Sequence, residues 1–234
     1  MAEELNRMRI LIGEEALMKM KEKTVMVCGV GGVGSFTAEA LARSGIGTLI
    51  LVDRDTVDIT NLNRQLMTAY DNVGQLKTEV LKKRLESVSP VKVISCPQNV
   101  DEDFTIPEGV DYVADCIDDL RGKIALFRKC RERSIPLLCA LGSARRLSSE
   151  GITVTSLAKT RNDPLARRYR SECRREGLPP EKLEVVFLDS VPIVSAEEGL
   201  GSAMFAVGAV GLKMAEVIYE RLLRESRIPL EKTL

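Results

Sequence analysis

Histidine is absent from this chain of 234 residues. Its absence removes every Ser-His or Cys-His nucleophile system and every imidazole metal ligand, so proton transfer must fall to Asp, Glu, Lys, a thiol or water. The six cysteines are Cys28, Cys96, Cys116, Cys130, Cys139 and Cys173, and none forms a C-x-x-C pair, so the spacing of a structural zinc site is missing. Cys28, Cys116 and Cys139 lie in apolar, strand-like runs, where a cysteine is expected to serve as a small buried hydrophobe. Long hydrophobic runs are missing as well. The longest near the C-terminus, AMFAVGAVGL, ends at Lys213, well short of the ~20 residues needed to span a bilayer. The start, MAEELNRMR, is charged and lacks the apolar core of a signal peptide, so a cytoplasmic protein is expected. Net charge is also lacking: 34 acidic residues balance 34 basic ones, so any electrostatic preference must come from local clusters.

What is present is a regular alternation of short apolar runs and helical stretches. TVMVCGV (24–30) is continuous and valine-rich, the pattern of a strand buried on both faces. A helix should follow through FTAEALARSG, then a strand at 48–53, a helix at 74–87 and strands at 91–96 and 110–116. A helix at 120–133 and a strand at 136–141 complete the series. This rhythm predicts an α/β, Rossmann-like, doubly wound and mostly parallel sheet with helices on both faces. Beyond residue 142 the rhythm loosens. Strand-like segments at 152–158 and 183–188 flank a helical one at 163–176, as if in a hairpin-like crossover, and a long helix closes at 201–224. The expected organisation is one domain over 1–234. It comprises an N-terminal helical arm (1–23), a nucleotide-binding core (24–141) and a C-terminal part facing substrate and partner (142–234).

Between the first strand and helix lies GVGGVGS. Gly29, Gly31 and Gly34 form G-x-G-x-x-G, with Gly32 between them, and Asp53 closes the next strand. Glycines let a backbone approach phosphates at a helix N-terminus, while the acid can accept hydrogen bonds from ribose hydroxyls. That motif alone fits NAD as well as ATP. The charges decide between them: Arg64 lies in DITNLNRQ, Lys77 in VGQLKTE, and Asp118 just past another apparent strand in ADCIDD. Cations over a glycine loop stabilise charge at a phosphorus undergoing displacement. A carboxylate facing phosphates suits Mg²⁺. An NAD(P)-dependent oxidoreductase would leave Arg64, Lys77 and Asp118 unexplained. A non-catalytic RNA-binding scaffold would have no reason to keep them together.

In this order and spacing, GVGGVGS, LVDRDTVDITNLNRQ, VGQLKTE and DCIDD resemble the ubiquitin-activating-enzyme-like adenylyltransferases, the group of the bacterial molybdopterin and thiamine sulfur-carrier activators. The similarity covers about residues 5 to 141. It implies that a substrate carboxylate attacks the α-phosphate of ATP, releasing pyrophosphate and leaving an acyl-adenylate. It also implies that Asp53 holds the ribose and that Asn61, Arg64 and Lys77 bind the phosphates. Gln65 and Asp55 join this nucleotide set, and Asp118 positions Mg²⁺. NRMRILIG matches the family's N-terminal pattern and places Arg7 where the family lends an arginine to the partner subunit, implying a homodimer with shared sites.

EALARSGIGTLILVD, YDNVGQLK and LAKTRNDPLARRYR look like one branch, the tRNA threonylcarbamoyladenosine dehydratases. The implied substrate is tRNA carrying threonylcarbamoyladenosine, cyclised with formal loss of water. The rival reading within the same chemistry is activation of a ubiquitin-like sulfur-carrier protein. Members of the branch can carry a cysteine shortly before GLG at 199–201; Ala196 stands about there, so an obligatory thioester is not expected. Residues 161–175 hold six arginines against two acids. Arg161, Arg167, Arg168 and Arg170 are the expected tRNA contacts, with Tyr169 available to stack on a base and Arg145, Arg146 and Lys159 adding charge.

Overall fold

The computed structural model describes residues 3–193 and 201–225. The arm is two helices, α1 (Asn6–Ile12) and α2 (Glu14–Lys21). Chain order then runs β1 (Thr24–Cys28), α3 (Gly32–Arg43), β2 (Thr48–Val52), α4 (Lys77–Val88) and β3 (Lys92–Cys96). After these come β4 (Tyr112–Asp115), α5 (Leu120–Glu132), β5 (Leu137–Ala140) and β6 (Ile152–Ser156). The chain closes with α6 (Pro164–Arg175), β7 (Glu184–Leu188) and α7 (Met204–Glu225).

The strands form one sheet in the order β3-β2-β1-β4-β5-β7-β6, parallel throughout except for β6, which runs antiparallel to β7 at the edge. The doubly wound class read from the sequence is therefore the one observed. Its cause is visible in β1, where Val25, Met26, Val27 and Cys28 are all fully buried because helices cover both faces of the sheet. Each such side chain contributes roughly 1.5–3 kcal/mol on leaving water. One face is covered by α3 and α7, locked where Thr37 Oγ1 donates to the Gly211 carbonyl at 3.1 Å. The other face packs Leu126 and Cys130 of α5 beneath β1, β2 and β4. The expected hairpin-like crossover is the β6–α6–β7 unit, in which the chain passes to the sheet edge and returns to fill the place beside β5.

Strand order reverses between β1 and β4, and the register sets Cys28 beside Asp115 at their carboxyl ends. Open α/β sheets bind ligands in the crevice at such a point. Among the described residues, no helix is long and apolar enough to cross a membrane.

Candidate active site

The glycine loop is shaped by two close approaches. Gly29 has φ 81°, in the left-handed region that favours glycine, and a Cβ there would lie 2.7 Å from the Cys116 carbonyl oxygen. A Cβ on Gly34 would lie 1.8 Å from the Gly29 carbonyl oxygen, so the helix start can fold against the loop only without a side chain. Helix α3 starts inside the motif, with Gly31 at its N-cap and Gly32 as its first residue. Its unpaired amides and positive end therefore point into the crevice, where an anion is favoured. Asp53, at the end of β2, accepts hydrogen bonds from the Val30 amide on Oδ2 and the Asp55 amide on Oδ1, both at 2.9 Å. Each oxygen keeps a further lone pair that a ribose hydroxyl can use.

The polar stretch 58–65 is a built turn. Asp58 caps a short 3-10 helix, Ile59–Asn61, by accepting from the Thr60 amide at 2.8 Å, while Asn61 Oδ1 accepts from the Asp58 amide at 3.1 Å. The bonds from the Thr60 hydroxyl and amide hold the Asp58 carboxyl below its usual range. Asn61 is buried, with its oxygen committed to the turn and its amide nitrogen left as a donor. Arg64 is oriented by bonds from Nη1 to the Thr60 carbonyl (2.8 Å) and to Asn63 Oδ1 (3.0 Å). Gln65 is buried beside the glycine loop: a Cβ on Gly31 would lie 3.5 Å from its Nε2. Its Oε1 is buried without a hydrogen-bond partner.

Lys77 opens α4 and is buried, and its Nζ lies 2.9 Å from Asp55 Oδ2. The two candidates thus form one ion pair, with the exposed carboxylate orienting the sheltered ammonium. Asp118 is exposed, between Ile117 and the α5 cap at Asp119. Asn63, in the same turn, donates to the Ser202 carbonyl at 2.8 Å and ties it to the segment leading into α7.

Arg7 stands apart. It is exposed on α1, and the arm packs where Leu5 meets Gly45 and the Gly47 amide donates to Met20, near the amino end of β2. No hydrogen bond or ion pair among the described residues joins it to the crevice of its own chain.

The basic stretch needs correction. Tyr169 is fully buried, and its hydroxyl donates to the Lys123 carbonyl at 3.0 Å, so it cannot stack on a base. Arg170 reaches inward to the Thr160 carbonyl and hydroxyl, fastening α6 to the loop before it. Arg146 is buried and bonded to the carbonyls of Gly142, Ala144, Asn162 and Ser190; it organises a loop and adds no charge to the surface. Arg161 is ion-paired with Asp189 at 2.7 Å. Arg167, Arg168 and Lys159 remain exposed. Burial pushes the Cys116 and Cys173 thiols up to about 12, which leaves both as unreactive thiols near neutral pH. Ala196 lies outside the described residues.

One feature of the site escaped sequence reading. Asp115 and Lys123 form a fully buried ion pair at 3.0 Å beneath the DCIDD turn. The trace it leaves in the sequence is an acid interrupting the apolar run YVAD.

Fold and glycine loop together define a nucleotide-binding protein of the doubly wound α/β class, with the loop and Asp53 at the switch point. The chain belongs to the ThiF family, whose model matches residues 5–230. It is 40% identical over 204 residues to tRNA threonylcarbamoyladenosine dehydratase of Bacillus subtilis, covering 85% of this chain and 79% of that one. To the protein of the same name from Escherichia coli it is 41% identical over 174 residues, 71% of this chain and somewhat under two thirds (63%) of the relative. Crystal structures of E. coli tRNA N6-threonylcarbamoyladenosine dehydratase in complex with AMP and with ATP superpose with TM-scores of 0.91 and 0.89. Each is 33% identical and covers 95% of both chains.

Proposed function

We propose that this chain is an ATP-dependent tRNA threonylcarbamoyladenosine dehydratase. The observation that carries the reading is the glycine loop at the switch point with the Asp53 carboxylate bonded to the loop's Val30 amide; Lys77, held by Asp55, joins it in this reading, as do Arg64 and Asp118. The solved relatives with AMP and ATP bound support it.

In this reading Gly29, Gly31, Gly32 and Gly34 bring backbone amides to the phosphates, and Asp53 holds the ribose. Asn61 Nδ2 and Gln65 line the phosphate path. Arg64 and Lys77, the latter steadied by Asp55, balance the charge that develops as a carboxylate oxygen of the threonyl group attacks the α-phosphorus and pyrophosphate leaves. The carbamoyl group then displaces AMP from the acyl-adenylate as it closes the ring, so the modified base loses the elements of one water. Asp118, an exposed carboxylate at a strand end, has the donor chemistry for Mg²⁺, which takes one or two carboxylates together with substrate phosphates. When bound, Mg²⁺ would neutralise phosphate charge there. Arg7 is read as a contribution from a second copy, and Arg167 and Arg168 as contacts to the tRNA backbone.

Incubation with ATP, Mg²⁺ and threonylcarbamoyl-modified tRNA should yield AMP, pyrophosphate and a nucleoside lighter by one water in mass spectrometry. Arg64→Ala should slow AMP release at least ~100-fold. An unchanged nucleoside, with AMP formed only when a Gly-Gly-ending carrier protein is supplied, would move the activity to sulfur-carrier activation.

A further inference from the structure

The Asp115–Lys123 pair is buried more deeply than any other ion pair among the described residues, with neither side chain exposed at all. Lys123 Nζ has three donors and three partners: Asp115 Oδ1 at 3.0 Å, the Ala140 carbonyl at 2.8 Å and Cys139 Sγ at 3.3 Å. It therefore joins the carboxyl ends of β4 and β5 from below. The same Asp115 oxygen accepts the Ile117 amide at 3.1 Å, bending the chain immediately after the strand. One residue earlier, the Cys116 amide donates to the Cys28 carbonyl at 2.8 Å, and the Cys116 carbonyl is the atom that Gly29 approaches too closely to bear a Cβ. Beyond the turn, Asp119 Oδ2 accepts the Gly122 amide at 2.8 Å and starts α5. Asp118 stands between these two fixed points.

Burying a charge pair is a poor way to gain stability, because apolar groups of similar volume generally serve as well or better. A pair placed under the one turn that links glycine loop, Asp118 and α5 calls for a geometric reason. We propose that Asp115 and Lys123 are positioning residues, a buried clamp that holds Asp118 at its place over the nucleotide phosphates. This rests on reading Asp118 as the residue that faces those phosphates. Burial by itself would lower the Lys123 pKa, but Asp115 and Cys139 together more than offset it and hold the lysine above its ordinary value.

The test is the neutral deletion Asp115→Ala/Lys123→Met, which strands no buried charge, made in the otherwise wild-type protein and in Asp118→Ala. Thermal melts establish that each variant folds. The clamp predicts a kcat for AMP formation lower by about 100-fold, with KM for tRNA nearly unchanged, and faster hydrogen exchange at the Ile117 amide without nucleotide. It also predicts no further loss when the deletion is added to Asp118→Ala, because both act through one carboxylate. Asp115→Asn/Lys123→Met keeps an amide oxygen for the Ile117 N–H and should recover about tenfold of the lost kcat. An equal loss in the two backgrounds, or an Asn variant no better than the Ala variant, overturns the clamp and leaves the site reading intact. Wild-type kcat in Asp118→Ala alone would overturn the site reading, and the clamp with it.

Discussion

Gly34 is the position where one methyl group would do the most damage. Its missing side chain lets the first turn of α3 close on the Gly29 carbonyl, and a Cβ at 1.8 Å could be relieved only by moving backbone, since both partners are main chain. The loop cannot yield easily on its other side, where Gly29 is pressed against Cys116 at the end of β4. Gly34→Ala should therefore cost more than about 3 kcal/mol in denaturant unfolding and abolish ATP binding in calorimetry. Wild-type stability with wild-type ATP affinity would mean that the loop has slack the geometry denies. The same scale shows how composition can place a charge without finding its partner. Lys77 is recognisable from VGQLKTE, but its pairing with Asp55 depends on the antiparallel bridge of Thr56 with Leu76, a contact that no local pattern announces.

Among the elements, α6 separates what a sequence discloses from what it hides. Its existence was legible from Asp163 at the N-cap, Pro164 in the first turn and the helical run that follows. Its orientation is legible in the period: Ala166, Tyr169 and Cys173 fall at i, i+3 and i+7 and form the buried stripe. Charge density alone would put Tyr169 and Arg170 on the exposed face, whereas the stripe turns Tyr169 into the core and Arg170 toward Thr160. The parallel core from β1 to β5 was legible for the opposite reason, since strands buried on both faces leave unbroken apolar runs. The order β5-β7-β6 was not, because that pairing is non-local. Nor was the Asp115–Lys123 pair, since a lysine in a helix reads as solvated until the end of β5 is known to lie beneath it. The corrected face makes a two-sided prediction. Tyr169→Phe should lower Tm by about 3 °C through a lost buried hydrogen bond and leave tRNA affinity alone. Arg167→Ala/Arg168→Ala should spare Tm, weaken tRNA binding and reduce the slope of log K against log salt by about 2. If Tyr169→Phe weakened tRNA binding while the arginine pair did not, the RNA would have to lie elsewhere.

At the scale of the whole molecule, the placement of Arg7 bears on assembly. Within one chain, α1 is anchored near the amino end of β2, whereas the crevice opens at the carboxyl ends of β1 and β4, so a single copy does not bring Arg7 to its own site. The same helix exposes Ile10 and Leu11, at 69% and 61% of their full surface, and adjacent apolar side chains on a short helix fit contact with another surface. If two copies associate about a twofold axis and each lends Arg7 to the other, defects in Arg7 and Asp118 fall on different chains of the same site. Arg7→Ala and Asp118→Ala should then both be inactive alone but complement when mixed after subunit exchange. A 1:1 mixture gives half mixed dimers, and each carries one site with both residues intact, so activity should return to roughly a quarter of wild type. The readout is AMP release at constant total protein, with sedimentation confirming exchange. A mixture no more active than the sum of its parts would place Arg7 outside the chemistry and leave α1 as an arm of the fold.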